Sequence, residues 1–308
     1  MMRGEAVVVD SLCKSYGSVD ALTGVTFSAY EGEIFGIIGP DGAGKTTLFR
    51  ILTTLLVPRS GSATVCGFDT VRDYREIRQR VGYMPGRFSL YQDLTVRENL
   101  DFFAKVFNTS VEANRALIED IYVQIEPFAN RRAGALSGGM KQKLALCCAL
   151  IHRPEVLFLD EPTTGVDPVS RKEFWEMLMR LKREGITILV STPYMDEASL
   201  CDRIAFIKCG RFLSVDSPAA ISSLFDGVLL SVRSDSMYRL LLDLRRIPGV
   251  RACYAFGDSH HVTVERGAIA PSDLASDLEK VGHSGVAVDR IEPLMEDCFM
   301  SLAGGAES

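Results

Sequence analysis

The sequence predicts an α/β core with a parallel sheet, interrupted by a helical insert and followed by a small α+β domain. Three observations carry that expectation. The apolar runs at 34–39, 156–159 and 186–190 are continuous rather than alternating, as in strands buried on both faces. Amphipathic stretches flank them, such as 171–183, which puts Phe174, Leu178 and Leu181 on one helical face. Beyond Gly227 the rhythm changes to strand, helix, strand, strand, helix, strand, the order of a ferredoxin-like unit.

Taken along the chain, the first run (34–39) enters a glycine-rich turn and then a helical pattern over 45–56. The stretch from about 97 to 152 holds no comparable strand, so a helical subdomain is expected over about 88–153. The run at 156–159 ends in two carboxylates, and the helix at 171–183 leads into the run at 186–190. In the tail we expect strands at 228–232, 250–256, 261–265 and 286–291. Helices are expected at 237–246 and 272–281 and from about 294. The boundary between the two domains is placed at 226/227. His260 and His261 fall on a strand, where alternation sends their rings to opposite faces.

A chain of 308 residues, 47% hydrophobic and 24% charged, can bury a sizeable core. Its net charge of −6 argues against a broad electrostatic grip on nucleic acid. The longest apolar stretch, 144–151, has eight residues, against the ~20 that cross a bilayer as a helix. No charged segment followed by an apolar one opens the chain, so a cytoplasmic location is expected. The eight cysteines include no Cys-x-x-Cys pair and read as reduced, small apolar side chains. The four histidines are too scattered to suggest a ligand set.

Gly39-Pro40-Asp41-Gly42-Ala43-Gly44-Lys45-Thr46, with Thr47 after it, fits the P-loop pattern G-x-x-x-x-G-K-[ST] between a strand and a helix. Glycines let successive N–H groups turn inward around phosphate oxygens, and the helix start adds its positive dipole end. Lys45 is expected to reach the β- and γ-phosphates and Thr46 to offer its hydroxyl to Mg²⁺. The strand ending in Asp160-Glu161 delivers both carboxylates to the sheet edge where open α/β folds bind ligands. Asp160 then suits the Mg²⁺ shell and Glu161 the polarisation of an attacking water.

Leu136-Ser137-Gly138-Gly139-Met140-Lys141-Gln142 lies between these two motifs. It resembles the signature of the nucleotide-binding subunits of ABC transporters, with Met140 replacing the usual glutamine. Gly165-Val166-Asp167 resembles the family's D-loop, so the resemblance covers roughly residues 5–225. It implies an ATP-dependent dimer in which Ser137, Gly138, Gly139 and Met140 of one subunit cap the ATP held by the other. It further implies ATP and Mg²⁺ as ligands, Tyr16 stacked on adenine, and integral membrane transporter subunits as partners. The chain would then lie on the cytoplasmic face of the membrane. The segment 88–96, with Leu90 and Tyr91, corresponds to the family's groove for a coupling helix. Glu292-Pro293-Leu294-Met295-Glu296-Asp297 resembles the tail of bacterial drug- and antibiotic-type exporter ATPases.

Two positions depart from the family pattern. Gly86 stands where the Q-loop glutamine is expected, and Pro193 where a histidine contacts the γ-phosphate. Neither residue offers a hydrogen-bonding side chain. Losing one transition-state contact typically costs ~3 kcal/mol, roughly a hundredfold in rate. The expectation is a competent ATP binder with slowed hydrolysis at its own P-loop, unless a neighbour such as Tyr194 or Gln92 substitutes. Intact signature residues make an asymmetric heterodimer as natural as a homodimer. Two other readings stay open: a soluble ATP-dependent switch, and a regulatory subunit that binds ATP without effective turnover.

Overall fold

Two long strands that continuous apolar runs do not reveal open the fold, β1 (Glu5–Tyr16) and β2 (Val19–Tyr30). They pair antiparallel, and register shifts along β1 break the strict alternation by which a half-buried strand is recognised. The computed structural model describes residues 4–305. The chain continues through β3 (Ile34–Ile38), α1 (Lys45–Leu52), β4 (Ser60–Val65), β5 (Phe68–Asp69), α2 (Tyr74–Arg80) and β6 (Val81–Met84). The expected helical segment is present as α3 (Val96–Val106), α4 (Arg115–Tyr122) and α5 (Gly138–Leu150). Then come β7 (Val156–Asp160), α6 (Pro168–Arg183), β8 (Thr187–Thr192), β9 (Arg203–Lys208), β10 (Arg211–Asp216) and α7 (Pro218–Ser223).

Strands β2-β1-β4-β5 form one antiparallel sheet, and β10-β9-β3-β8-β7-β6 a second, parallel except for β10. The three sequence-predicted runs are β3, β7 and β8, and they lie side by side at its centre. Every residue of these three strands is buried, which is why their sequences do not alternate. The register sets Ile38 beside Thr192 and Asp160 beside Ser191, so the loops after β3, β7 and β8 leave from one edge. Phe49 of α1 meets Phe158 of β7 edge-on at 5.6 Å, which fixes the first turn of α1 relative to the carboxylates after β7. Helix α1 stops at Leu52, earlier than its apolar pattern suggested; Thr54 adopts a left-handed φ of 64°.

The chain divides into two units after Pro218, earlier than the boundary at 226/227 suggested by composition. The second unit contains β11 (Val228–Arg233), α8 (Met237–Leu244), β12 (Val250–Phe256), β13 (Ser259–Val264), α9 (Pro271–Lys280), β14 (Ala287–Ile291) and α10 (Met295–Gly305). Its sheet is antiparallel in the order β12-β13-β11-β14, the ferredoxin-like arrangement. Leu240 and Leu244 of α8 pack with Leu274 and Leu278 of α9 on Leu230, Val232, Val262 and Val264. The histidine pair alternates as expected. His260 Nε2 lies 2.7 Å from the Met237 carbonyl at the start of α8, and His261 Nδ1 lies 2.7 Å from Asp297 of α10.

Candidate functional site

The loop from β3 to α1 can be built only with glycine at two of its positions. A Cβ on Gly39 would sit 2.2 Å from the Ile207 carbonyl oxygen. One on Gly44, where φ is +110°, would sit 2.4 Å from that of Ala21. Pro40, Asp41 and Gly42 are exposed, Ala43 is buried, and Thr46 and Thr47 are half-buried. Helix α1 has no side-chain cap and no acidic residue in its first turn. Its leading N–H groups thus have neither intrahelical acceptors nor a competing carboxylate, the arrangement that receives phosphate.

Lys45 is 3% exposed, and a buried ammonium needs partners. Its Nζ donates to the carbonyls of Gly39 (2.7 Å) and Pro40 (2.9 Å) and pairs with Glu161 Oε1 at 3.0 Å. A phosphate arriving in the loop therefore competes with Glu161 for the same ammonium. Glu161 itself stands in the left-handed region with φ of 52°, a costly conformation for a residue with a Cβ. Asp160 is buried and accepts a hydrogen bond from Ser191 Oγ at 2.7 Å.

The Thr46 hydroxyl and the Asp160 carboxylate are hard oxygen donors, the type Mg²⁺ takes. Among the described residues no three His, Cys, Asp or Glu side chains gather into a closed metal cage. Tyr83 of β6 lies behind Asp160. Burial, and then the Asp160 charge, push its phenol up to about 12, so it stays protonated.

The two departures lie at this same sheet edge. A Cβ on Gly86 would be 2.8 Å from the Asp160 carbonyl oxygen, so the backbone here runs against the end of β7. Pro193 immediately follows β8 and is half-buried. Of the two candidate substitutes, only Tyr194 has its side chain against another group, while Gln92 is exposed. The Tyr194 ring lies 4.7 Å from the Arg171 guanidinium of α6, and the Gln92 carbonyl accepts from Gly134 N–H at 2.9 Å. Tyr16, at the end of β1, is 47% exposed, with the Lys14 ammonium 5.7 Å from its ring centre.

Ser137 caps α5: its hydroxyl accepts from Met140 N–H at 3.4 Å. Ser137 and Gly138 are exposed, and α5 carries no acid in its first turn. Gly139 backs onto α6, since a Cβ there would lie 3.1 Å from Ser170 Oγ. Asp167 accepts from the N–H groups of Val169 (3.1 Å) and Ser170 (3.0 Å), capping α6. The Ser170 bond is the main reason its carboxyl lies below the usual range. Asp167 thus has a visible structural task, capping the helix against which Gly139 packs.

Below the Gly86 segment lies a cavity of about 420 Å³ lined by Tyr83, Met84, Leu90, Phe103, Phe107 and His152 among others. Two polar side chains brace this region, Asn99 buried and His152 half-buried. Asn99 Nδ2 donates to the carbonyls of Tyr91 (3.0 Å) and Thr95 (2.9 Å), and its Oδ1 accepts from Tyr91 N–H at 3.1 Å. His152 stacks on Phe107 at 3.7 Å with Nε2 3.0 Å from the Val81 carbonyl; burial holds its imidazole below the usual range. Tyr91 is 51% exposed, while Leu90 is buried in the cavity wall.

Sequence reasoning missed Ser191, Tyr83 and Asn99. None belongs to a contiguous motif, and the only hint was a polar residue inside an otherwise apolar strand or helix face. Among the described residues no helix is long and apolar enough to cross a membrane.

The sequence profile of the family described as ABC transporter matches residues 22–164. A probable multidrug ABC transporter ATP-binding protein, YbhF of Escherichia coli, is 38% identical over 99% of this chain. The chain spans 53% of that relative's length, about half. The daunorubicin resistance ATP-binding protein DrrA2 of Streptomyces coeruleorubidus is 36% identical, over 98% of this chain and 96% of its own length. Among solved structures, the ATP-binding cassette MJ0796, a dimer in a post-hydrolysis state bound to ADP and Pi, superposes with a TM-score of 0.62. It is 27% identical, over 68% of this chain and 98% of the cassette.

Proposed function

Because this chain belongs to the ABC transporter ATP-binding family, we propose that it is the ATP-binding subunit of an exporter and drives membrane subunits by ATP-gated dimer closure. The observation that carries the proposal is the convergence at one sheet edge of an uncapped helix start, a buried lysine and the Asp160-Glu161 pair. Relatives named for multidrug transport and daunorubicin resistance support the export reading.

In this reading the N–H groups of Gly42–Thr47 and the Lys45 ammonium bind the polyphosphate, and Tyr16 stacks on the base. Mg²⁺, held by Thr46 and Asp160, would neutralise charge on the β- and γ-oxygens when bound. Glu161, freed from Lys45 as phosphate claims the ammonium, accepts the proton of the attacking water. Ser137, Gly138, Gly139 and Met140 present an open helix start to the nucleotide of a second subunit, identical or not. The MJ0796 dimer supports that arrangement. The apolar cavity beneath the Gly86 segment receives a helix of the membrane subunit, which would hold the chain at the cytoplasmic face.

The test is co-expression with membrane subunits encoded beside it, followed by purification and ATPase assay. Co-purification with ATP-dependent turnover is expected; partners confined to soluble proteins would instead favour the ATP-dependent switch.

Gly86 and Pro193 support slow turnover at this chain's own P-loop, as either an asymmetric exporter or a regulatory subunit would show. Pro193→His should raise turnover about tenfold or more, towards the roughly hundredfold that one transition-state donor provides. Gly86→Gln should help less on its own, because its Cβ meets the Asp160 carbonyl and the segment must shift. Steady-state phosphate release on both single variants and the double variant checks this. An unchanged rate in all three would remove the case for impairment.

A further inference from the structure

Ser191 of β8 is fully buried and touches both carboxylate residues at the site. Its hydroxyl donates to Asp160 Oδ1 at 2.7 Å, and the same oxygen accepts from the Glu161 N–H at 3.1 Å. The Ser191 carbonyl accepts that N–H as well, at 3.0 Å. A serine hydroxyl has one proton and two lone pairs. Giving the proton to Asp160 fixes the rotor and leaves a lone pair for Glu161. One side chain thus sets the carboxylate plane of Asp160 and anchors the backbone of Glu161, which needs anchoring because its φ of 52° is unfavourable. Alanine would keep the carbonyl contact and lose both hydroxyl contacts.

We propose that Ser191 is a positioning residue for this site, orienting Asp160 for the Mg²⁺ that accompanies the nucleotide and holding Glu161 in its left-handed conformation. The inference rests on the ATP-binding reading above. It concerns a strand residue outside the P-loop, signature, D-loop and Pro193 position. A hydroxyl serving only to fill space in the strand would affect folding but not the response to metal.

ADP binding to the full chain, measured in EDTA and across a Mg²⁺ titration, separates the two. For Ser191→Ala, affinity in EDTA should stay within about twofold. The Mg²⁺ midpoint should rise about 10–100-fold, as when a ligand loses its outer hydrogen-bond partner. Ser191→Thr, which keeps the hydroxyl, should restore the midpoint to within about threefold. An unchanged midpoint in a folded Ser191→Ala protein would overturn the proposal, as would equal weakening with and without Mg²⁺. Should the alanine variant not fold, Ser191→Cys decides. A thiol is a weak donor, so a raised midpoint is expected, and a wild-type midpoint overturns the idea. A wild-type chain that binds no ADP in either condition would reject the ATP-binding reading itself, a result distinct from a Mg²⁺ response that survives in Ser191→Ala.

Discussion

Glu161→Gln is expected to lower ATP turnover about 10²–10⁴-fold, the usual contribution of a positioned general base, while leaving nucleotide binding intact. Glutamine keeps the size of the side chain and loses its charge and basicity. The phosphate-binding elements do not depend on it: the α1 start is formed by backbone, and Lys45 keeps the Gly39 and Pro40 carbonyls as acceptors. The substitution also removes the anion that pairs with Lys45 at 3.0 Å, so a nucleotide phosphate no longer competes with it. ADP affinity should therefore hold or increase as hydrolysis falls. Single-turnover phosphate release read beside ADP binding checks both halves, and it remains readable if the wild-type rate is already low. Turnover that survives in Glu161→Gln would assign the base to another residue. Lost ADP binding would mean that Glu161 shapes the loop rather than the chemistry.

The parts of this site that were legible in the sequence are those whose residues are neighbours along the chain. Gly39–Thr46 could be recognised because strand, turn and helix start follow one another, and the structure adds only why Gly39 and Gly44 admit no Cβ. Asp160 and Glu161 could be placed because a fully buried strand runs straight into them. What stayed hidden is pairwise and distant. The Lys45–Glu161 ion pair and the Ser191–Asp160 hydrogen bond depend on β3, β7 and β8 being adjacent, which strand runs alone do not order.

Strand β1 was missed for a different reason. Bulges around Leu12 and the left-handed Ser11 shift the pleat, so inward and outward residues no longer alternate in sequence. The domain boundary drifted because composition changes where the second sheet begins, whereas the division of the fold precedes that sheet. The Glu-Pro-x-x-Glu-Asp segment could be noticed as a motif, but its physical task could not be read from it. Only the sheet opposite α10 shows which of its acids does something.

That acid is Asp297, and Asp297→Ala is expected to cost the second unit about 3–5 kcal/mol, within the range for leaving two or three buried donors without their acceptor. Its side chain is completely buried. One oxygen accepts from His261 Nδ1 at 2.7 Å and from the Tyr254 hydroxyl, and the other from the Leu294 N–H at 2.8 Å. Burial first, and then the neighbouring Asp297, push the Tyr254 phenol up, so it remains a neutral donor. Deleting the carboxylate leaves donors on β12 and β13 without their acceptor, at about 1–3 kcal/mol for each stranded group. It also removes the bond that closes the first turn of α10. A unit of this size holds only about 5–13 kcal/mol in total, so its melting point should fall by roughly 12–24 °C even at the lower estimate. Glu292, an exposed acid of the same motif, is the control; Glu292→Ala should stay within about 0.5 kcal/mol. Hydrogen exchange over α10 and β13, read with thermal unfolding, measures the loss where it occurs. If Asp297→Ala and Glu292→Ala behave alike, the buried carboxylate is not what holds α10 to its sheet, and apolar packing through Met295, Cys298 and Phe299 carries that contact instead.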